Sequence, residues 1–416
     1  MPKWSMTLMK KTAKPVSTPV SDAPRAKIHR SVWALGFVSM FMDISSELIH
    51  ALLPIYMVTV MGTSVLAVGF IEGIAEATAS IMKVFSGAVS DRFGKRKLLA
   101  VIGYGLAALT KPIFPLANSL DWLVGARFVD RIGKGIRGAP RDALVADVTP
   151  PELRGAAYGL RQTLDTIGAF IGPLLAIALM WWTANNYQLI FWVAVLPAFA
   201  AIAVLVFFVR EPKIPATTRP RKLPLNREDL GRLGSRYWWV VAIGLAFTLA
   251  RFSEAFLILR GESSGLPPMW APAVLVVMSV AFSLSAYPAG VLSDRMRKTD
   301  LLLIGVALLI AADLTLAFVP GLLGLGLGVA LWGLHMGFTQ GLFNVLIADS
   351  APAELRGTAF GMFHLLTGIA LLLASVIAGL LWDTIGFQGT FAAGAIFAVL
   401  TGLGLLTLRR SSQGAF

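Results

Sequence analysis

Cysteine is absent from this 416-residue chain, which excludes disulfides, thiolate nucleophiles and cysteine-ligated metals. Charge is scarce too: Asp, Glu, Lys and Arg make up 14% of residues, against 56% hydrophobic. A soluble protein of this length could not cover its surface with so few ionised groups. No phosphate-binding loop of Walker type and no metalloprotease motif is present. The glycine-rich stretch GLLGLGLGVALWG (Gly321 to Gly333) follows an apolar helix instead of a strand, so its glycines read as helix-packing positions. No enzyme activity is expected, and no cofactor is implied. The alternating ten-residue segments of a membrane β-barrel are also missing.

What is present is apolar sequence in runs of roughly 20 residues, the length that spans a bilayer, with a mean hydropathy of +0.73. The reading is an all-α polytopic membrane protein. Twelve transmembrane helices are expected at about 32–59, 66–90, 97–117, 121–148, 155–181, 187–210, 237–260, 269–291, 299–319, 321–350, 357–382 and 387–408. They divide into a six-helix bundle over 32–210, a polar, Pro-rich linker over 211–236 and a second six-helix bundle over 237–408. Residues 1–31 lack the apolar core of a cleaved signal and read as a disordered basic tail; 409–416 form a second tail.

The net charge of +13 suggests nucleic acid only until its positions are read. Of 36 Lys and Arg, 26 fall in the tails and alternate loops. The intervening loops hold almost none, Arg260 being the exception. That is the positive-inside pattern, placing both termini in the cytoplasm of a cytoplasmic (inner) membrane. The surplus charge then faces anionic headgroups, not nucleic acid.

The two halves repeat. VADVTPPELRGAAYGL (Val145 to Leu160) matches IADSAPAELRGTAFGM (Ile347 to Met362) at an offset of 202, and GAVSDRFGKRK (from Gly87) matches GVLSDRMRK (from Gly290) at 203. Both halves start on the cytoplasmic side, so the repeat is parallel, about an axis normal to the membrane. On these residues the chain, from about 32 to 408, resembles the major facilitator superfamily. Gly87 to Arg96 is similar to that family's signature between helices 2 and 3; its second copy is shortened. RIGKGIRG (Arg131 to Gly138) resembles the helix 4 signature, whose Arg is associated with proton coupling. GAFIGP, containing Gly168, Gly172 and Pro173, resembles the helix 5 signature of proton-coupled exporters, departing from it at Ala176 and Ile177. The resemblance implies two pseudo-symmetric bundles with helices 1, 4, 7 and 10 lining a central cavity.

The stretch GARFVDRIGKGIRGAPRDALVAD (Gly125 to Asp147) holds five basic and three acidic side chains. At 100° per residue, Arg127, Asp130, Arg131, Lys134, Arg137, Arg141 and Asp142 share an arc of about 140°. Each charge facing lipid at mid-bilayer costs about 2.5–3.5 kcal/mol, beyond what a stability of about 5–15 kcal/mol can carry for many of them. The charged face must therefore meet other charges or water.

Level-matching of adjacent helices offers partners. Glu72 and Glu76 stand opposite Arg127 and Arg131, and Lys83 opposite Asp142. Asp43, Glu47 and His50 of helix 1 stand at the level of Lys134 and Arg137. Helix 5 adds Arg161 and Asp165; helix 7 adds Arg251 and Glu254. At the 202 offset Arg131 becomes Gly333 and Lys134 becomes Met336, so the first half is expected to handle charge and the second to supply an apolar, aromatic wall. Asp43, Glu47, Arg131, Lys134, Arg137, Asp165 and Glu254 are the candidates for proton coupling and the substrate cavity. Gly87, Asp91, Arg92, Arg141, Asp294 and Arg295 are the gating candidates; Asp91→Asn is expected to insert but transport poorly.

These features describe a monomeric, proton-coupled secondary transporter, whose partners are protons, lipid and a small organic solute, anionic or chelate-like given the basic fourth helix. Efflux is the expected direction, with uptake of an organic anion as an alternative. A second alternative, similar to ferroportin-like members of the superfamily, would use Asp43, Glu47, His50 and His364 for a divalent metal. A receptor or scaffold would carry a larger extramembrane domain.

Overall fold

Within a bilayer no water is available to backbone N–H and C=O groups, so a spanning chain closes its hydrogen bonds inside each helix. The computed structural model describes residues 29–93, 95–150, 153–211, 230–293, 295–339, 342–352 and 355–413, and among them the chain is almost wholly helical. The first span, α1, is Arg30–His50, continued through Leu53–Ile55 and a π-helical turn Tyr56–Val60. Then follow α2 (Val65–Phe93), α3 (Arg96–Thr110, with a turn Ile113–Leu116), α4 (Leu120–Asp147), α5 (Arg154–Trp182) and α6 (Tyr187–Phe208). The second half has α7 in two pieces (Ser235–Ala250 and Ala255–Ser263), α8 (Ala273–Ser293) and α9 (Lys298–Phe318). After them come α10 (Gly321–Thr339 and Leu342–Ser350), α11 (Arg356–Ile385) and α12 (Phe387–Gln413). The twelve expected spans are all found, within a few residues. Of the expected tails and linker, 1–28, 212–229 and 414–416 lie outside the described residues, whereas Arg409–Gln413, expected as tail, continue α12 as helix.

Eleven of these segments are long and apolar enough to cross a membrane. The twelfth is α4, whose 28 residues are long enough but heavily charged. Exposed Trp122, Trp181, Trp182 and Trp270 at one level and Trp33, Trp238 and Trp239 at the other mark two interfacial belts.

Packing follows the sequence repeat. In the first half α1 lies on α5 and α6, α2 on α4, and α3 on α4 and α6; in the second half α7 lies on α11 and α12, α8 on α10, and α9 on α10 and α12. The halves meet where α2 packs on α11 and, equivalently, α5 on α8. Small residues set the spacing. A Cβ on Gly133 of α4 would lie 2.5 Å from the Gly103 carbonyl oxygen of α3, and one on Gly103 would lie 2.7 Å from the Arg137 amide. Gly133→Val is thus expected to destabilise the protein by about 1–3 kcal/mol through overpacking, read as a lower thermal midpoint in detergent.

On the face opposite the termini the halves are joined. Asp383, near the end of α11, accepts hydrogen bonds from the amides of Val65 (3.2 Å) and Leu66 (2.9 Å), the open N-terminus of α2. Beneath it the helices touch through glycine: a Cβ on Gly379 would sit 2.7 Å from Leu66 Cα, and one on Gly73 3.0 Å from the Leu372 carbonyl. Gly386, with φ of 98°, ends α11; its amide bonds to Leu381 and Trp382 and turns the chain into α12.

Candidate functional site

The charged arc of α4 faces inward, as its cost in lipid requires. Arg127 is held by two bonds to Glu72 of α2, Nε to Oε1 at 3.1 Å and Nη2 to Oε2 at 2.7 Å. Both side chains are buried. One turn on, Arg131 pairs with Glu76 at 3.0 Å. Both pairs match the level-reading of the sequence. Asp130 points the other way, to Lys111 of α3 at 2.9 Å, where Lys111 also donates to Ser46. That ion pair was not expected, because Lys111 sits at the end of its span, where a cation usually reaches headgroups. Asp142 does not pair with Lys83. It lies by Arg141 (3.1 Å) and Arg161 (3.8 Å), while the Lys83 stem passes Gly138; α5, not α2, supplies the neighbour there.

A cavity of about 460 Å³ opens at mid-membrane between the halves. Glu47, His50, Glu76, Ser80, Arg131 and Lys134 line it from the first half. Phe247, Thr248, Arg251, Phe252, Ser253, Glu254, Trp332, Thr367 and Leu371 line it from the second. Of the seven expected cavity residues, the structure brings Glu47, Arg131, Lys134 and Glu254 to this space. Asp43, Arg137 and Asp165 lie about one turn nearer the termini, in a separate cluster. There Asp43 has Asp165 and Arg137 as charged neighbours, Asp165 meets Arg141 and Arg161 at 3.6 Å each, and Arg137 stacks on the Tyr104 ring at 4.7 Å.

Gly168 and Gly172 of α5 set this geometry. A Cβ on Gly168 would meet the Met40 carbonyl at 2.5 Å, and one on Gly172 would meet Glu47 Cβ at 2.7 Å. The two helices touch along the face carrying Asp43 and Glu47, with Pro173 buried beside the contact.

The second half contributes through a break. α7 was expected to be continuous, but Arg251–Ser253 are not helical. This interruption turns Arg251, Phe252 and Glu254 toward the cavity, with Phe252 against Trp332 (centroids 5.5 Å apart). Phe252, Trp332 and Arg251 were not singled out as cavity residues; the sequence signal was a charged pair spaced by three inside an apolar run.

Among the gating candidates, Arg141 joins the cluster near the termini, with Ser39 accepting from it at 3.0 Å, and Arg295 is exposed. The side chains of Asp91, Arg92 and Asp294, and the surroundings of Gly87, lie outside the described residues. The alternative metal set is not assembled: His50 is held at 3.3 Å by Arg127, and His364 stacks on Phe360 away from the cavity. Among the described residues no group of three or more His, Asp or Glu could hold a metal ion. Arg260, the exception to the loop pattern, is buried. It donates to the carbonyls of Leu316 and Val319 and packs 3.9 Å over the Phe387 ring.

Twelve membrane helices in two matched halves around a charged chamber of about 460 Å³ define a polytopic membrane transporter. A family model described as Major Facilitator Superfamily matches residues 35–374, and the chain belongs to that superfamily. It is 30% identical over 388 residues to an uncharacterized MFS-type transporter of Methanocaldococcus jannaschii, covering 91% of this chain and 95% of the relative. It is 26% identical over 337 residues to the multidrug resistance protein MdtH of Proteus mirabilis, covering 79% and 80%. A mutant form of the nucleoside transporter NupG superimposes with a TM-score of 0.77 at 14% identity, covering 91% of this chain and 99% of that one. Family and fold point to a transporter rather than an enzyme.

Proposed function

We propose that the chain is a proton-coupled secondary transporter that exports a small organic solute by alternating access. It works as a monomer in a cytoplasmic membrane with both termini inside, the bundles 32–210 and 237–408 rocking as two bodies. One observation carries this reading: Glu47 and Glu254 reach the same mid-membrane cavity from opposite halves, and neither is in an ion pair among the described residues. A carboxylate is stabilised as the anion by nearby cations and as the acid when they withdraw. Rocking changes the distance between Glu47 and Lys134 on one wall and Arg251 and Glu254 on the other. Each carboxylate can then take a proton on one side of the membrane and release it on the other. Solute competing for the same groups gives exchange, and the multidrug resistance relative supports the outward direction.

The test is a proteoliposome assay with an imposed pH gradient and an enclosed pH dye, presenting organic anions, cationic drugs and divalent metals in turn. Glu254→Gln and Glu47→Gln are expected to lower solute-driven proton movement by about tenfold or more, the scale of losing a group made essential to the step. If both variants moved protons like the parent, the coupling would lie elsewhere.

A further inference from the structure

The basic face of α4 motivated an anionic cargo, yet the structure commits most of it. Arg127 is bound to Glu72, Arg131 to Glu76 and Arg141 to Asp165 and Asp142, while Arg137 is stacked on Tyr104 outside the cavity lining. The charges left unpaired in the cavity, among the described residues, are four: Glu47 and Lys134 from the first half, Arg251 and Glu254 from the second. Glu254 is close enough to Arg251, Lys134 and Glu47 to feel their charge, but no two of the four are in ion-pair contact. The Arg251 Nε is buried and has no hydrogen-bond partner.

This quartet is balanced, with one cation and one carboxylate on each wall. Lys134 is exposed to the cavity and Glu47, Arg251 and Glu254 are half-buried, so a molecule that fills the space strips water from all four. Charges desolvated without a partner are costly, and cargo is selected by how many of the four it satisfies. An organic anion satisfies Lys134 and Arg251 and leaves both carboxylates facing it. An organic cation does the reverse. Only a molecule carrying both signs satisfies both sets at once. Phe247, Phe252 and Trp332 form the apolar wall beside the quartet, and about 460 Å³ is at the small end of ligand pockets, which run from about 300 to 1,000 Å³.

We propose that the cargo is a small zwitterion with an apolar side group, of amino-acid to dipeptide size, its carboxylate held by Lys134 and Arg251 and its ammonium by Glu47 and Glu254. The assignment rests on the reading of this cavity as the cargo site, and not on proton coupling. The ammonium would displace protons from the two carboxylates, the competition that exchange needs.

Three isosteres share one phenyl and two-carbon skeleton: phenylalanine carries both charges, 3-phenylpropionate only the acid and phenethylamine only the amine. Binding of each, and of the dipeptide alanylphenylalanine, is measured on the purified full chain in nanodiscs by calorimetry. The zwitterions are expected to bind about tenfold or more tighter than either singly charged analogue, about 1.4 kcal/mol, which one charge-assisted contact can supply. Arg251→Gln and Lys134→Gln should erase the advantage over the amine while keeping that over the acid. Glu254→Gln and Glu47→Gln should do the opposite. A variant that merely misfolds lowers all affinities together and cannot produce this crossed pattern.

Equal or tighter binding of the acid or the amine by the parent protein, or no binding of either zwitterion, overturns the assignment. Zwitterion binding without any proton movement would leave it standing and remove proton coupling instead.

Discussion

Replacing Glu72 with alanine is expected to cost about 3–5 kcal/mol, the loss typical of stranding one member of a buried ion pair. Glu72 is fully buried and Arg127 is 2% exposed. The guanidinium has a bidentate carboxylate on one side and the His50 ring nitrogen on the other. With the carboxylate gone, the cation has no second acid to turn to, because Glu76 and Asp130 are already held by Arg131 and Lys111. The measurement is the thermal midpoint of the purified variant, followed by fluorescence-detected size exclusion. The double variant Glu72→Gln with Arg127→Gln should recover most of the loss, since no charge is then left unpaired. A Glu72→Ala protein as stable as the parent would show that water, not protein, solvates Arg127. Because this pair lies behind the cavity wall, the double variant is also expected to retain cargo binding.

The second large effect concerns closure. Asp383→Ala removes two charge-assisted bonds to the N-terminus of α2, each worth up to about 1.5–3 kcal/mol and reinforced by the helix dipole. They join the halves only when the face opposite the termini is shut. Their loss is expected to shift the balance toward opening on that face by about tenfold or more, since 1.4 kcal/mol is a factor of ten. The absence of cysteine makes the reading clean. A single cysteine at Ser80, on the cavity wall, should react faster with a membrane-impermeant thiol reagent added on that face. Asp383→Glu should restore the parent rate. If Asp383→Ala left the labelling rate unchanged, the cap would be an ornament of the closed form and not a determinant of it.

The parts of this architecture that depend on one helix at a time could be read from the sequence. Span lengths follow from the bilayer, and the inward turn of α4 follows from the cost of its charges. The pairs Arg127–Glu72 and Arg131–Glu76 follow because two adjacent spans fix relative depth to about a turn. Depth does not say which neighbour lies alongside, which is why Lys83 was matched to Asp142 when Arg161 holds that place. Lys111 escaped notice because its position at a span end permits either headgroup or interior. The sequence places Glu254 at the cavity, but the turn of Arg251 and the aromatic wall toward the same space depends on three unwound residues in an apolar run, which periodicity cannot reveal. The bond between Asp383 and α2 joins residues more than 300 positions apart across two bundles, and nothing local encodes it. The family resemblance implies the two-bundle frame; the division of the charged residues between cavity and lower cluster is set by how α1, α4 and α5 pack, which no single helix encodes.

The seam between α2 and α11 has a kinetic corollary. Along Gly69, Gly73, Gly368 and Gly379 one backbone rests against the other helix with no side chain of its own to mesh. A joint of bare main chain parts and re-forms without freezing and releasing rotamers at these positions. In the rocking proposed above, such a surface offers little friction and leaves the pace of a stroke to its charged ends, while a side chain added at Gly69, where a Cβ would run into the Ser375 carbonyl oxygen, is expected to hinder closure of that face.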